Sequence, residues 1–224
     1  MYENMTVMRT KKVKKILDLV EKFGVCNSEQ VANLVYAHYK NPKVAKIHAS
    51  AKLKNLYDNK LLKRDRAHIN AKYFYFTSKK PKQVEHRLYA VDLYIKLVNF
   101  YGETNVDMII HYNGIKGIEP DALITIKKDK YIYYFFLEVH YSSKQFNVEK
   151  YENIFNDQSF INIYPKEILE KNKKLQFPKI LVMTDRKIDT SNKCGIQFII
   201  LDMELTDLEN KLNLNPPSKV INGY

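Results

Sequence analysis

Two acids in the second half of the chain stand where they could work together. Asp121 follows Pro120 at the start of one apolar segment, and Glu138 lies near the end of the next, in Leu137-Glu138-Val139-His140. An acid before one strand and an acid near the end of its neighbour can be brought close together. Such a pair can hold a hard divalent cation, Mg²⁺ in the first instance, through oxygen ligands. The cation would activate water and stabilise the transition state of phosphodiester cleavage. Asp121 and Glu138 are therefore the candidate metal ligands and, with His140, the candidate catalytic residues. Glu138 and His140 share one strand face by the two-residue period, so His140 can orient water or ligate metal. Histidine is not the fixed cation that lysine is at neutral pH; Lys144, four residues on, is a substitute for that role. The competing reading makes Asp121 and Glu138 surface or strand-capping acids in a domain used for dimerisation.

The elements that must position these acids are legible as periodicity and punctuation. A long helix is expected over 81–101, with Leu88, Val91, Leu93, Ile95, Leu97 and Val98 inward and Gly102 as its stop. Strands are expected at 106–111, 122–126 and 131–140, separated by Asn113-Gly114 and by Lys128-Asp129-Lys130. Helices at 147–156 and 165–172 follow, then strands at 179–184 and 196–201, and a frayed tail from Asn210. Helix, three strands, helix, strand, strand is an α/β arrangement around a mixed sheet. The run Tyr131, Tyr133, Tyr134, Phe135, Phe136 has no interleaved basic residues, so it reads as a buried strand and not as a base-stacking platform.

Composition narrows the functional classes. The 224 residues carry 37 Lys and Arg against 25 Asp and Glu, a formal net charge of +12, and 45% are hydrophobic. That apolar fraction excludes a disordered polycation. No run of about 18 apolar residues suggests a membrane span, and Met1 to Arg9 shows no signal-peptide pattern. Cys26 and Cys194 stand alone, which fits a reducing cytoplasm, no disulfide framework and two buried small apolar side chains. The excess charge is segregated. Residues 1–80 hold 18 Lys and Arg against 6 Asp and Glu, whereas the remainder holds 19 of each. A basic module joined to a neutral one is the electrostatic footprint of a nucleic-acid-binding head on a separate domain.

The head reads as helix, helix, helix, hairpin. Val13, Ile16, Leu17, Val20 and Phe23 recur at helical spacing and Gly24 stops the run; Asn27 and Gln30 are spaced as an N-cap and its partner. Asn41-Pro42 starts a third helix, whose buried stripe is Ala45, Ala49, Leu53 and Leu56. The opposite face offers Lys43, Lys46 and Lys54 to phosphates and Ser50 to a phosphate or base edge. Ile47 suits a thymine methyl, pointing to an A·T-containing site, or else packs on the first helix. Strands at 61–66 and 73–77 form a hairpin carrying Lys63, Arg64, Arg66, His68 and Lys72, suited to the DNA backbone or minor groove. The basic run Arg9, Lys11, Lys12, Lys14, Lys15 opposes the first helix's dipole, so local stability does not explain it, whereas phosphate attraction does.

The order of elements in residues 1–80, and the passage Leu53, Leu56, Leu61, Leu62, Arg64 in particular, resembles the winged helix-turn-helix family, with Lys60 in place of the usual glycine before the wing strand. Pro120-Asp121 followed by Glu138-Val139-His140 resembles the restriction-endonuclease-like nuclease superfamily, with His140 in place of its lysine. The whole order, including His86 and Asp92 on the long helix and Lys150-Tyr151 on a later one, resembles the replication-relaxation family of plasmids and other mobile elements. That resemblance implies an N-terminal winged helix-turn-helix domain (1–80), a restriction-endonuclease-like mixed-sheet domain (81–209) and a flexible tail (210–224). It implies action on double-stranded DNA in plasmid replication, relaxation or transfer, with Glu85 or Asp92 as a further acid. Expected partners are duplex DNA, a second copy of the chain, and a relaxase or replication initiator. A transcriptional repressor with a ligand-binding second domain is the other non-enzymatic reading. Because the second part is electroneutral, the non-catalytic reading is preferred to a Mg²⁺-dependent endonuclease or nickase.

Overall fold

A computed structural model describes residues 10–141, 143–171 and 175–214. The protein is mixed α+β, with seven α-helices among the described residues and a mixed five-stranded sheet. The chain divides into two compact units, Met1–Ile95 and Lys96–Tyr224.

In the first unit α1 (Lys11–Phe23) buries Val13, Ile16, Leu19, Val20 and Phe23 along one face. Thr10 caps its start by accepting from Val13 N, and Gly24 ends it in the left-handed region, φ +78°. A side chain at Gly24 would also collide with Arg87, whose Nη1 would lie 2.7 Å from an added Cβ. The two-residue strand β1 (Cys26–Asn27) leads into α2 (Ser28–Val35), where the expected Asn27–Gln30 capping box forms. Helix α3 (Pro42–Asp58) starts on the Asn41 cap with Pro42 at N1, and Ala45, Ala49, Leu53 and Leu56 are its buried stripe. Strands β2 (Lys63–Asp65) and β3 (Phe74–Phe76) form the hairpin. The sheet order is β1-β3-β2, antiparallel throughout, with Cys26 opposite Tyr75 and Arg64 opposite Tyr75 on the other side.

The first unit extends past the domain boundary expected after Lys80. The first turns of α4 (Val84–Tyr101) belong to it: Val84 and Leu88 pack on Val25, Phe74 and Phe76, and Arg87 Nη1 donates to Phe23 O at 2.9 Å. Gln30, fully buried, donates from Nε2 to Leu88 O at 2.8 Å and to Asp92 Oδ1 at 2.9 Å. The compact units thus divide inside α4, whereas the composition changes fifteen residues earlier.

In the second unit, β4 (Val106–Ile110), β5 (Ala122–Lys128) and β6 (Tyr131–Val139) form an antiparallel meander, and β7 (Lys179–Met183) and β8 (Phe198–Leu201) add parallel strands beyond β6. The order is β4-β5-β6-β7-β8. Buried runs such as Phe135-Phe136-Leu137 and Ile180-Leu181-Val182-Met183 are what central strands covered on both faces require. Helices α5 (Glu149–Asn156) and α6 (Lys166–Lys171) follow β6. Leu123, Phe136 and Val182 on one sheet face pack with Tyr151, Ile154 and Phe160.

The tail departs from expectation at its start. Leu208–Leu212 is a helix, α7, Leu212 and Leu214 are buried, and Lys128 Nζ donates to Leu214 O at 3.0 Å. The chain is therefore packed through Leu214 where fraying was expected from Asn210; residues 215–224 lie outside the described residues. Cys26 is buried, which pushes its thiol up to about 12, whereas Cys194 is only partly buried. No helix among the described residues is long and apolar enough to cross a membrane.

Candidate functional site

The basic surface is built on α3 and the hairpin. Packing of Ala45, Ala49, Leu53 and Leu56 into the core turns Lys43, Lys46, Ile47 and Lys54 outward. Ile47 is 67% exposed, so it does not pack on α1, and Ser50 is half-buried. Among the described residues, Lys43 and Lys54 have no carboxylate partner.

The other predicted cations are engaged. Lys46 Nζ lies 2.6 Å from Glu29 Oε1, and Lys72 Nζ lies 2.7 Å from Glu29 Oε2. One carboxylate in the first turn of α2 therefore joins α3 to the hairpin. Hydrogen bonds from Lys46 and Lys72 hold Glu29 below its ordinary pKa. Lys63 Nζ donates to Ser78 O at 2.7 Å. The Arg64 guanidinium lies between two rings, 4.2 Å from Tyr57 and 4.4 Å from Tyr73, and Arg66 lies 5.1 Å from Tyr73. Stacked guanidinium groups lose little further freedom on meeting a phosphate. Arg66 Nη1 also donates to Ile69 O in the hairpin loop. His68 is exposed there. Of the basic run at the start of α1, Arg9 lies outside the described residues; α1 has no acid in its first turn, and Lys12 Nζ sits 4.8 Å from the Tyr36 ring.

Sequence reasoning missed Glu29 and the Tyr57/Tyr73 stack. Glu29 is one of six acids in residues 1–80, and that scarcity was a usable signal. Tyrosines near arginines on separate elements carried no comparable one.

The predicted carboxylates do come together. Ala122 pairs with Leu137, so continuing that antiparallel register sets Asp121 opposite Glu138, on the sheet face that carries Phe136. Their proximity is felt: the Asp121 charge helps to raise the Glu138 carboxyl, although burial is the larger cause and Lys150 opposes both. Each acid is also committed. Asp121 Oδ2 accepts from Val139 N at 2.7 Å. Glu138 Oε1 accepts from Lys150 Nζ at 2.6 Å and from the Tyr151 hydroxyl. Tyr151 is fully buried, and burial followed by the Glu138 charge drives its hydroxyl well above the usual value.

A Mg²⁺ ion needs about six oxygen ligands. Here the Lys150 ammonium occupies the counter-cation position beside Glu138, and no three His, Cys, Asp or Glu side chains are grouped for a metal among the described residues. The residues present do not fit the Mg²⁺ site that the resemblance implies. His140 turns to Phe146, ring centroids 5.6 Å apart, and its backbone N donates to Met183 O. With Lys144, Arg186 and Lys187 it lines a cavity of about 360 Å³. Asp92, expected as a further acid, accepts from Gln30 and, like Glu85, lies in the first unit. The tyrosines that open β6 are half-buried, against the expectation of a buried strand; Tyr131, Tyr133 and Tyr134 line a cavity of about 470 Å³ with Tyr164 and Phe177.

Neither a family model nor a curated protein sequence matches the chain.

Proposed function

We propose that the protein binds double-stranded DNA through a winged helix-turn-helix head, with α3 as the recognition helix in the major groove and the β2–β3 hairpin as the wing. The observation that carries this reading is the coincidence of the whole net charge with one unit, whose order is helix, strand, helix, helix, hairpin and whose outward helix face holds Lys43, Ile47 and Lys54. Lysines without internal partners gain most from phosphate contact. The second unit, a nuclease-like arrangement whose two acids are held by Val139 N–H and by Lys150, serves assembly of a homodimer and not catalysis. By its resemblance to the replication-relaxation family, the protein acts at a plasmid or mobile-element site in replication, relaxation or transfer, with a relaxase or replication initiator as partner and the cytoplasm as its place.

Salt titration of duplex binding tests the head. Affinity should fall steeply with salt, with a log–log slope of about −0.9 per phosphate neutralised. Lys43→Ala and Lys54→Ala should each flatten that slope by about one unit; unchanged slopes mean that another surface meets the DNA. The competing enzymatic reading, a Mg²⁺-dependent endonuclease or nickase, is favoured by the opposition of Asp121 and Glu138. Supercoiled plasmid incubated with Mg²⁺ or Mn²⁺ should stay intact. Nicking that disappears in both Asp121→Ala and Glu138→Ala would establish that reading instead.

A further inference from the structure

The two most exposed large apolar side chains among the described residues both lie in the basic unit. Ile47 on α3 is 67% exposed and Ile69 in the hairpin loop is 75% exposed. A lone exposed aliphatic needs no explanation in general. Ile69 differs in its setting. It occupies the loop joining β2 to β3: Ile69 O accepts from Arg66 Nη1, and a turn closes across it, with Ala71 N donating to His68 O at 2.9 Å. Arg66 is itself stacked on Tyr73. The loop therefore presents one bare sec-butyl group from a fixed backbone, with Arg66, His68 and Lys72 near it in sequence.

We infer that Ile69 is a wedge that enters between two base pairs of duplex DNA from the minor groove and partly unstacks them. This rests on the DNA-binding reading of the head. Charge complementarity selects the occupant: the loop belongs to the unit that carries the whole net charge, and a polyanion suits that unit while offering an apolar slot, the base stack, to the tip. Aliphatic wedges between base steps kink the duplex towards the major groove. Pyrimidine–purine steps, TA above all, open most easily. Ile69 thereby supplies sequence preference through deformability, separately from contacts made by α3.

The test uses the full chain and an alternating A·T duplex in which some adenines are replaced by 2-aminopurine, whose fluorescence rises on unstacking. The wild-type protein should raise the fluorescence several-fold on binding. Ile69→Ser should abolish the rise and weaken binding about tenfold, the scale for burying one aliphatic side chain, with the salt slope unchanged. Ile69→Leu should restore both. Because the side chain is exposed, the thermal melt of Ile69→Ser should match wild type, which separates loss of the wedge from loss of the fold. Binding by the wild-type protein without a rise, or a rise retained by Ile69→Ser, overturns the wedge while leaving the DNA-binding reading intact. A wild-type protein that ignores duplex DNA in dilute buffer overturns both.

Discussion

Glu29 sets a quantitative trap for the proposed interface. Its carboxylate holds Lys46 of α3 at 2.6 Å and Lys72 of the hairpin at 2.7 Å. The three groups together carry about one positive charge; in Glu29→Gln they carry about two. If both lysines face DNA, the substitution allows one more phosphate to be neutralised, which steepens the log–log salt slope by about 0.9. At 0.1 M salt that corresponds to affinity about eightfold higher, shrinking to about threefold at 0.3 M, because the gain scales with the logarithm of the salt concentration. The same substitution should destabilise the free protein. Two half-exposed ion pairs and an acid in the first turn of α2 contribute about 1 kcal/mol together, a shift of a few degrees in Tm for a unit of this size. Fluorescence anisotropy with a labelled duplex at four or five salt concentrations measures the first effect, and a thermal melt measures the second. The mutant should be less stable yet bind more tightly. If Glu29 acts instead as a clasp that sets the spacing of α3 and the hairpin, binding weakens and the slope stays put, and the competition argument is refuted.

Other outcomes follow from the same contacts. Glu29 has a lowered pKa, so its pairing contributes above the carboxyl's unfolded value and is lost as pH falls through the folded one; acid melts should show wild type losing the same contribution of about 1 kcal/mol or less that Glu29→Gln never had. Gln30→Leu removes the buried amide that Asn27 N donates to and that donates to Leu88 O and Asp92, and urea unfolding should show a loss of about 2–4 kcal/mol. Glu138 runs the opposite way from Glu29. Burial raises its carboxyl, so the native state binds the proton more tightly than the unfolded chain, and stability falls as pH rises from the unfolded value through the folded one. Subtracting the Glu138→Gln stability curve from that of wild type should expose this fall, and a difference that grows with pH would count against the assigned environment.

Local signals made much of the fold legible. Gly24 as a stop, the Asn27–Gln30 box and the Asn41-Pro42 start depend on neighbours within a few residues, and each element they delimit is present. Strand β1 was invisible because Cys26 and Asn27 become a strand only through pairing with Tyr75 and Phe74, some fifty residues away. The division inside α4 was invisible for a related reason. Pro81 marks where a helix is approached, but Val84, Arg87 and Leu88 are claimed by the first unit through Val25, Phe23 O and Gln30, none of which is near in sequence. The opposition of Asp121 and Glu138 was readable from strand ends and the two-residue period. Their partners were not: Lys150 and Tyr151 reach Glu138 from a helix whose docking is a tertiary fact.

Those partners bear on what the acidic motif is for. Continuing the register of β5 with β6 runs past the end of β5 and places Pro120 opposite Val139. Val139 is buried, and leaving its N–H without an acceptor would cost about 1–3 kcal/mol. The Asp121 carboxylate supplies that acceptor, so an aspartate after the proline has a folding role that needs no cation. Glu138 has one as well. Lys150 is partly buried beside Tyr151, and the Glu138 carboxylate 2.6 Å away is its counter-charge. The pair Pro-Asp and Leu-Glu-Val, read as chemistry from spacing alone, thus also makes local contacts within the second unit. On α3, Lys43 and Lys54, without a carboxylate partner among the described residues, extend into solvent together with an exposed isoleucine. Free energy not already committed inside the protein is what a ligand can draw on. By that criterion the basic helix face and its hairpin are the surface on which the DNA-binding proposal rests.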